Sequence, residues 1–292
     1  MTVATGRGHQ DDGNLLTQTR RRINRLDLKA RKSLGQHFLV DKGVLQQVLA
    51  AADLNASDTI IEVGPGLGVL TEELIQKADR VIAVELDDKL ASILRRRQAS
   101  SDNLSVINGD ILKLTPSELL GSATDYKVVA NLPYYITSAV IRHFLEAEVK
   151  PQLMVLMVQR EVAEAITAAP GKMSLLSVSV QFYGCPQIAA YAPAAGFYPP
   201  PEVDSAVLKI EVYPQPALPV ADVEGFFRLV KAGFAAARKQ LANSLALGLE
   251  VDKTETLCLL QAAGIEHKRR AETLSLVEWY SLWQALQAGR LC

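Results

Sequence analysis

A glycine-rich run, Gly64-Pro65-Gly66-Leu67-Gly68, follows the apolar stretch Thr59-Ile60-Ile61-Glu62-Val63 and precedes a helical pattern. Glycines placed this way let the chain turn tightly and let a ligand lie against the main chain. The dinucleotide fingerprint G-x-G-x-x-G requires its third glycine at position 69, but Val69 stands there and the third glycine is Gly68. Glu85 ends the next apolar run, 21 residues beyond Gly64. A carboxylate there can accept hydrogen bonds from both hydroxyls of an adenosine ribose. Asp110 follows the third run, where it can accept from the exocyclic amine of adenine or cap a helix. The fourth run ends in Asn131-Leu132-Pro133-Tyr134-Tyr135-Ile136. A polar amide beside a proline-stiffened turn and an aromatic is an unusual way to end an apolar strand, although an Asn–Pro turn with packed tyrosine has the same composition. The four histidines form no HExxH and the three cysteines no CxxC, so no metal site is expected.

These residues need strands to carry them, and the pattern supplies strands. Apolar runs at 59–63, 81–86, 104–109, 126–132 and 153–159 alternate with helical spacing at 44–54, 68–77, 87–98 and 137–147. That rhythm predicts an α/β fold with a parallel sheet covered by helices on both faces. Residues 205–213 (SAVLKIEVY) alternate more clearly and predict a late strand nearer the sheet edge. The stretch YPQPALP (213–219) is the best linker, and helical patterns follow it to the end. The chain therefore divides into a flexible basic tail (1–30), an α/β domain (31–215) and a small all-helical domain (216–292).

Of 292 residues, 49% are apolar and 22% charged, which suits a folded chain and excludes a disordered one. The formal net charge is -1, which at face value argues against a nucleic-acid partner. The average conceals a division. Residues 20–32 carry +6 and residues 216–292 carry +1, whereas residues 33–215 carry -7. No apolar run approaches a membrane span, and the polar N-terminus lacks the apolar core of a signal peptide. A cytoplasmic protein with no membrane contact is expected.

G-x-G-x-G after an acidic strand end resembles motif I of class I methyltransferases, which bind S-adenosylmethionine, and Asn131–Tyr134 resembles motif IV of enzymes that methylate an adenine amino group. The segments KSLGQHFLVD (32–41), IEVGPGLGVLT (61–71), VELD (84–87), GDIL (109–112), NLPYYI (131–136), MVQREVAE (157–164), FYPPPEVDSAV (197–207) and RAETLSL (270–276) fall in the order found in the ribosomal RNA adenine dimethyltransferase family. The resemblance covers the chain from about residue 29 to its end. It implies a Rossmann-like class I methyltransferase sheet with a small C-terminal helical domain, S-adenosylmethionine as cofactor, and N6,N6-dimethylation of two adjacent adenines. Those adenines lie in a hairpin loop near the 3′ end of small-subunit rRNA, and the partner is the immature small ribosomal subunit, met by a monomer.

By this resemblance His37, Leu39 and Asn131 line the cofactor site, Gly64 and Gly66 contact the methionine part through the backbone, Glu85 holds the ribose and Asp110 the adenine. The family often has Asn where this chain has His37. Asn131 and the Leu132 carbonyl would accept the two N6 protons, Pro133 fixes the turn, and Tyr134 and Phe197 would sandwich the target base. Arg20, Arg21, Arg22, Arg25, Arg31 and Lys32 form the basic approach segment for RNA. Arg238 and Lys239, on the first C-terminal helix, and Lys268 and Arg269 add local RNA contacts. Arg95-Arg96-Arg97 reads as a solvated helix end. Three alternatives stay open: a large-subunit rRNA adenine methyltransferase of the resistance type, a non-catalytic assembly or transcription factor on this fold, and an NAD-dependent dehydrogenase, which Val69 disfavours.

Overall fold

The computed structural model describes residues 15–26, 35–236 and 238–289. Arg31 and Lys32 lie outside them. Among the described residues the first elements are helix α1 (Leu15–Arg25), a short strand β1 (Phe38–Leu39) and helix α2 (Lys42–Ala52), whose N-terminal amides Gly43 and Val44 are capped by the Asp41 carboxylate. The alternating core follows: β2 (Thr59–Val63), α3 (Val69–Lys77), β3 (Arg80–Glu85), α4 (Asp88–Gln98), β4 (Leu104–Asn108), α5 (Pro116–Leu120), β5 (Lys127–Asn131), α6 (Thr137–Leu145) and β6 (Leu153–Gln159). Next come α7 (Arg160–Ile166), α8 (Leu175–Tyr183), β7 (Gly184–Ala192), β8 (Phe197–Tyr198) and β9 (Ser205–Val212). Helices α9 (Val223–Phe234), α10 (Leu241–Leu249), α11 (Lys253–Ala262) and α12 (Leu276–Gln287) are the last of the described elements.

Seven strands form one sheet in the order β4-β3-β2-β5-β6-β9-β7. Strands β2 to β6 pair in parallel, and β9 runs antiparallel to both β6 and β7. Strands β2, β3 and β6 are buried almost throughout and β5 through its centre, which is why they read as unbroken apolar runs, whereas the edge strand β4 is only partly covered. From β2 the chain winds outward through β3 to β4, then returns to β5 on the other flank of β2. The carboxyl ends of β2 and β5 therefore flank a topological switch point, where an open α/β sheet forms a ligand crevice.

One expectation is met and one changes. Strand β9 lies second from the edge, between β6 and the edge strand β7, with Ser205, Ala206, Val207, Leu208 and Ile210 buried and Lys209 paired with Glu211 at 2.7 Å. Strand β7, GCPQIAAYA, has no apolar run and carries Pro186, tolerated where one side of a strand needs no donor. The change concerns the tail. Residues 15–25 are not free: they form α1, with Thr19 and Ile23 buried. A small ribbon, β1 with β8, sets Phe38 opposite Tyr198 and Leu39 opposite Phe197.

The proline-bearing segment after β9 lies against the α/β core: Ala217 donates to the Phe182 carbonyl at 2.8 Å and Leu218 is buried. Phe226 of α9 stacks on Phe182 of α8 at 5.4 Å, within an apolar core that continues to Trp279 and Trp283 of α12.

Candidate active site

A cavity opens at the carboxyl ends of β2, β3, β4 and β5. Gly35 to Leu39, the Gly64–Leu67 turn, Glu85, Asp110 and the Asn131–Ile136 turn all line it. The structure thus brings together His37, Leu39, Gly64, Gly66, Glu85, Asp110, Asn131, Leu132, Pro133 and Tyr134, drawn from five separate segments.

The turn after β2 works through its backbone. Gly64, Gly66 and Gly68 have φ of 65°, 58° and 77°, the left-handed region that costs other residues steric strain. At Gly68 a Cβ would meet Arg97 Nη1 at 2.6 Å and Leu94 Cδ2 at 2.7 Å, so a larger residue there must displace both side-chain ends as well as bear the strained φ. Glu85 is buried, and its two oxygens accept from the Gly66 amide at 3.0 Å and the Asp87 amide at 2.9 Å. Burial raises its pKa, with those amide bonds opposing. Each oxygen keeps a second lone pair, so the carboxylate that shapes the turn can also accept from a ribose. Asp110 caps the helical turn after it through the Leu112 amide at 3.1 Å and still lines the cavity.

Glu62, within β2, lines the cavity at 1% exposure, and its Oε2 has no hydrogen-bond partner. Burial raises its pKa to about 8, with the neighbouring Thr71 hydroxyl opposing the rise and the Glu85 carboxylate adding to it. A buried carboxyl with an orphaned oxygen is costly unless a ligand satisfies it. An ammonium group answers that need, as glycine backbone and two further carboxylates answer the needs of a nucleoside. The residues present fit S-adenosylmethionine. Glu62 was legible in the sequence only as part of the glycine motif; no composition signal marked its side chain as aimed inward.

The turn after β5 works through side chains. Asn131 Nδ2 donates to the His37 carbonyl at 2.9 Å. A carbonyl can only accept, so this bond fixes the amide and leaves Asn131 Oδ1 as a free-facing acceptor. His37 is held in turn by its Nδ1 against the Pro199 carbonyl at 2.7 Å. Its ring stacks on Tyr134 at 5.8 Å, with 22° between planes. The Tyr134 hydroxyl bonds Ser205 Oγ at 2.7 Å, and burial raises its pKa. The side chain of Leu132 is buried while its amide donates to the Met157 carbonyl at 3.2 Å, tying the turn to β6. Tyr135 stands at the rim, 59% exposed, beside Gly35 and Pro133.

Phe197 is not brought to the cavity. It is 2% exposed in the core beside Leu39 and Val207, because the β1–β8 register turns it inward. The basic residues divide likewise. Arg20, Arg21 and Arg25 are exposed on α1, whereas Arg22 pairs with Glu72 at 3.0 Å. Arg238 and Lys239 are exposed but lie in the turn between α9 and α10, not on a helix; beyond the end of α9 the Ser244 hydroxyl donates to the Ala236 carbonyl at 2.9 Å. Lys268 is exposed. Arg269 is not free for RNA: it binds both oxygens of Glu278, and Thr273 through its hydroxyl at 3.1 Å and carbonyl at 2.6 Å. That pairing pulls the Glu278 pKa down to about 2. Arg97 departs from the solvated reading too, since it bonds Glu72 at 2.7 Å and the Gly68 carbonyl at 3.2 Å.

The model of the family described as ribosomal RNA adenine dimethylase matches residues 27–282. Proteins named ribosomal RNA small subunit methyltransferase A are similar over most of their length. That of Dehalococcoides mccartyi is 56% identical over 270 residues, 92% of each chain. That of Moorella thermoacetica is 42% identical over 271 residues, 89% of this chain and 93% of its own. Among solved structures, a 23S rRNA methyltransferase aligns with TM-score 0.68 at 27% identity, over 86% of this chain and 99% of its own. A dimethyladenosine transferase from Plasmodium falciparum shares the fold, with TM-score 0.74 at 23% identity over 87% and 99%. Among the described residues, no helix is long and apolar enough to cross a membrane.

Proposed function

This chain belongs to the ribosomal RNA adenine dimethylase family, and from that premise we propose that it transfers methyl groups from S-adenosylmethionine to N6 of two adjacent adenines in a 3′-terminal hairpin loop of small-subunit rRNA. It acts during ribosome assembly, as a cytoplasmic monomer on the immature small subunit. The dinucleotide reading falls away with the family assignment.

The observation that carries this reading is the Asn131–His37 bond, which commits the amide nitrogen of a cavity-lining residue to the main chain and leaves its oxygen as an acceptor, beside the stacked rings of His37 and Tyr134. Adenine N6 is a poor nucleophile because its lone pair is delocalised into the ring. The cofactor, when bound, supplies a methyl group on a sulfonium, already a good leaving group. What the protein must add is orientation, which supplies on the order of 7–11 kcal/mol in well-aligned reactions. Asn131 Oδ1 and the Leu132 carbonyl accept the two N6 protons, drawing the nitrogen towards tetrahedral geometry and freeing its lone pair. Pro133 stiffens the turn, and the ring of Tyr134 receives the flipped base. No general base is required, because the nitrogen becomes acidic only once methylated and water then takes the proton.

The test is methyl transfer from labelled cofactor to small subunits lacking the modification, followed by nucleoside analysis. The expected product is N6,N6-dimethyladenosine at two adjacent positions. Transfer confined to large-subunit rRNA would support the second reading, for which the similarity to a 23S rRNA methyltransferase speaks; the higher identity to small-subunit relatives favours the first. An absence of transfer to either would point to an assembly factor.

A further inference from the structure

Helix α1 carries a buried and a basic face, and the buried face rests on the outside of the cofactor cavity. Ile23 packs with Phe38, Leu67 and Leu90. Those three side chains line the cavity on their other side. One residue earlier, Arg22 Nη2 bonds Glu72 Oε1 at 3.0 Å, in the first turn of α3. The same oxygen receives Arg97 Nη1 of α4 at 2.7 Å, and Arg97 also donates to the Gly68 carbonyl at 3.2 Å. A three-member ionic chain thus runs from α1 to the last glycine of the cofactor turn. Arg20 adds a third anchor, its guanidinium lying 5.2 Å from the centre of the Tyr198 ring, which pairs across the ribbon with Phe38. Arg21 and Arg25 remain exposed on the opposite face.

We infer that α1 is a strap that holds the outer wall of the cofactor site, with Ile23 and Arg22 as positioning residues acting through Phe38, Leu67 and the Gly68 turn. The strap rests on the reading that the cavity takes S-adenosylmethionine. It also deepens the role of the basic segment, because the helix that offers Arg21 and Arg25 to RNA is the helix that braces the cofactor wall. Binding events on its two faces are then linked, and linkage is reciprocal: whatever factor α1 docking adds to cofactor affinity, the cofactor adds to α1 docking.

Reciprocity supplies a test with two readouts in the full-length protein, using S-adenosylhomocysteine as probe. The first is affinity by calorimetry. Ile23→Asp, which charges the buried face, is expected to weaken binding about tenfold or more, whereas Ile23→Leu keeps wild-type affinity. Arg22→Gln weakens it a few-fold and Arg22→Lys restores it. In methyl transfer, the same variants raise KM for the cofactor and leave kcat within about twofold. The second readout is limited trypsinolysis at Arg20–Arg25, which the probe slows in the wild type and not in Ile23→Asp. Because Arg22→Gln alters a half-exposed side chain, it keeps the test open if Ile23→Asp does not fold. Wild-type affinity in both variants, or no protection of the wild-type helix by bound probe, overturns the strap. Failure of the wild type to bind the probe at all overturns the cofactor reading instead, so the two failures are distinguishable.

Discussion

The two turns at the switch point, one after β2 and one after β5, lie on adjacent strands and solve opposite problems. The first spends three glycines with positive φ on bringing main chain to a ligand. The second has no glycine: Pro133 stiffens it, Asn131 is locked by the His37 carbonyl, and Tyr134 is pinned through Ser205. A turn that must yield space is built from residues without side chains, and one that must present groups in a fixed geometry is built from restrained side chains. The comparison predicts different kinetic signatures. Damage to the first turn should lower cofactor affinity, and damage to the second should lower transfer with the cofactor still bound.

The largest effect is expected at Asn131. Asn131→Ala removes an acceptor that matters most as N6 leaves planarity, so kcat should fall about 10²–10³-fold, the usual cost of one such preorganised group. Affinity for S-adenosylhomocysteine should stay within about threefold, as measured by calorimetry. Equal losses in both quantities would dissolve the distinction between the turns. Gly68→Ala is the mirror experiment. The residue is held at φ 77° and its Cβ would collide with Arg97 and Leu94, a backbone cost of order 1–3 kcal/mol. Cofactor KM should rise about tenfold or more, while kcat at saturation changes little.

Glu62 adds a pH signature to the first turn alone. Its carboxyl titrates at about 8 in the free protein, so at pH 7 it is mostly neutral. An ammonium group prefers the carboxylate, so binding must release a proton, and affinity should rise with pH and level off above about 8. The slope approaches tenfold per pH unit below that value. Calorimetry in two buffers of different ionisation enthalpy counts the proton, and Glu62→Gln should abolish both the release and the slope. The sign for stability is opposite. A raised carboxyl pKa contributes stability below about 4.5 that is lost as pH rises through 8, so the free protein should soften over that range and the cofactor should restore it.

Much of this division was legible in the sequence. The glycine spacing, Glu85, Asp110 and Asn131 announced themselves because each terminates an apolar run, and parallel strands bring such termini to one edge. Legibility failed where a side chain's direction depends on register or on a distant partner. Phe197 looked like a cavity residue beside its prolines, but the two-residue pairing with β1 turns it into the core. Strand β7 was invisible because an edge strand with alternating exposure has no apolar run to betray it. Helix α1 was read as a tail because its charge overwhelmed two buried positions, Thr19 and Ile23, that only the folded surface beneath them explains.

The basic residues of the helical region offer the finest form of the comparison, since Lys268 and Arg269 are adjacent in sequence and differ in employment. Lys268 faces solvent, and Arg269 spans Thr273 and both oxygens of Glu278. If Lys268 meets a phosphate, Lys268→Gln should weaken RNA binding a few-fold and flatten the salt dependence, by about 0.7–0.9 in the slope of log K against log salt. Thermal stability should not change. Arg269→Gln should do the reverse, leaving the salt slope intact and lowering the thermal midpoint by about 2 °C. Its pH behaviour identifies the cause. Glu278 is held down at about 2 by Arg269, so this pair contributes stability above about pH 4.5 that is lost as pH falls through 2. The stability gap between wild type and Arg269→Gln should therefore narrow in acid, and a salt slope that flattened in this variant would return Arg269 to the RNA-binding set.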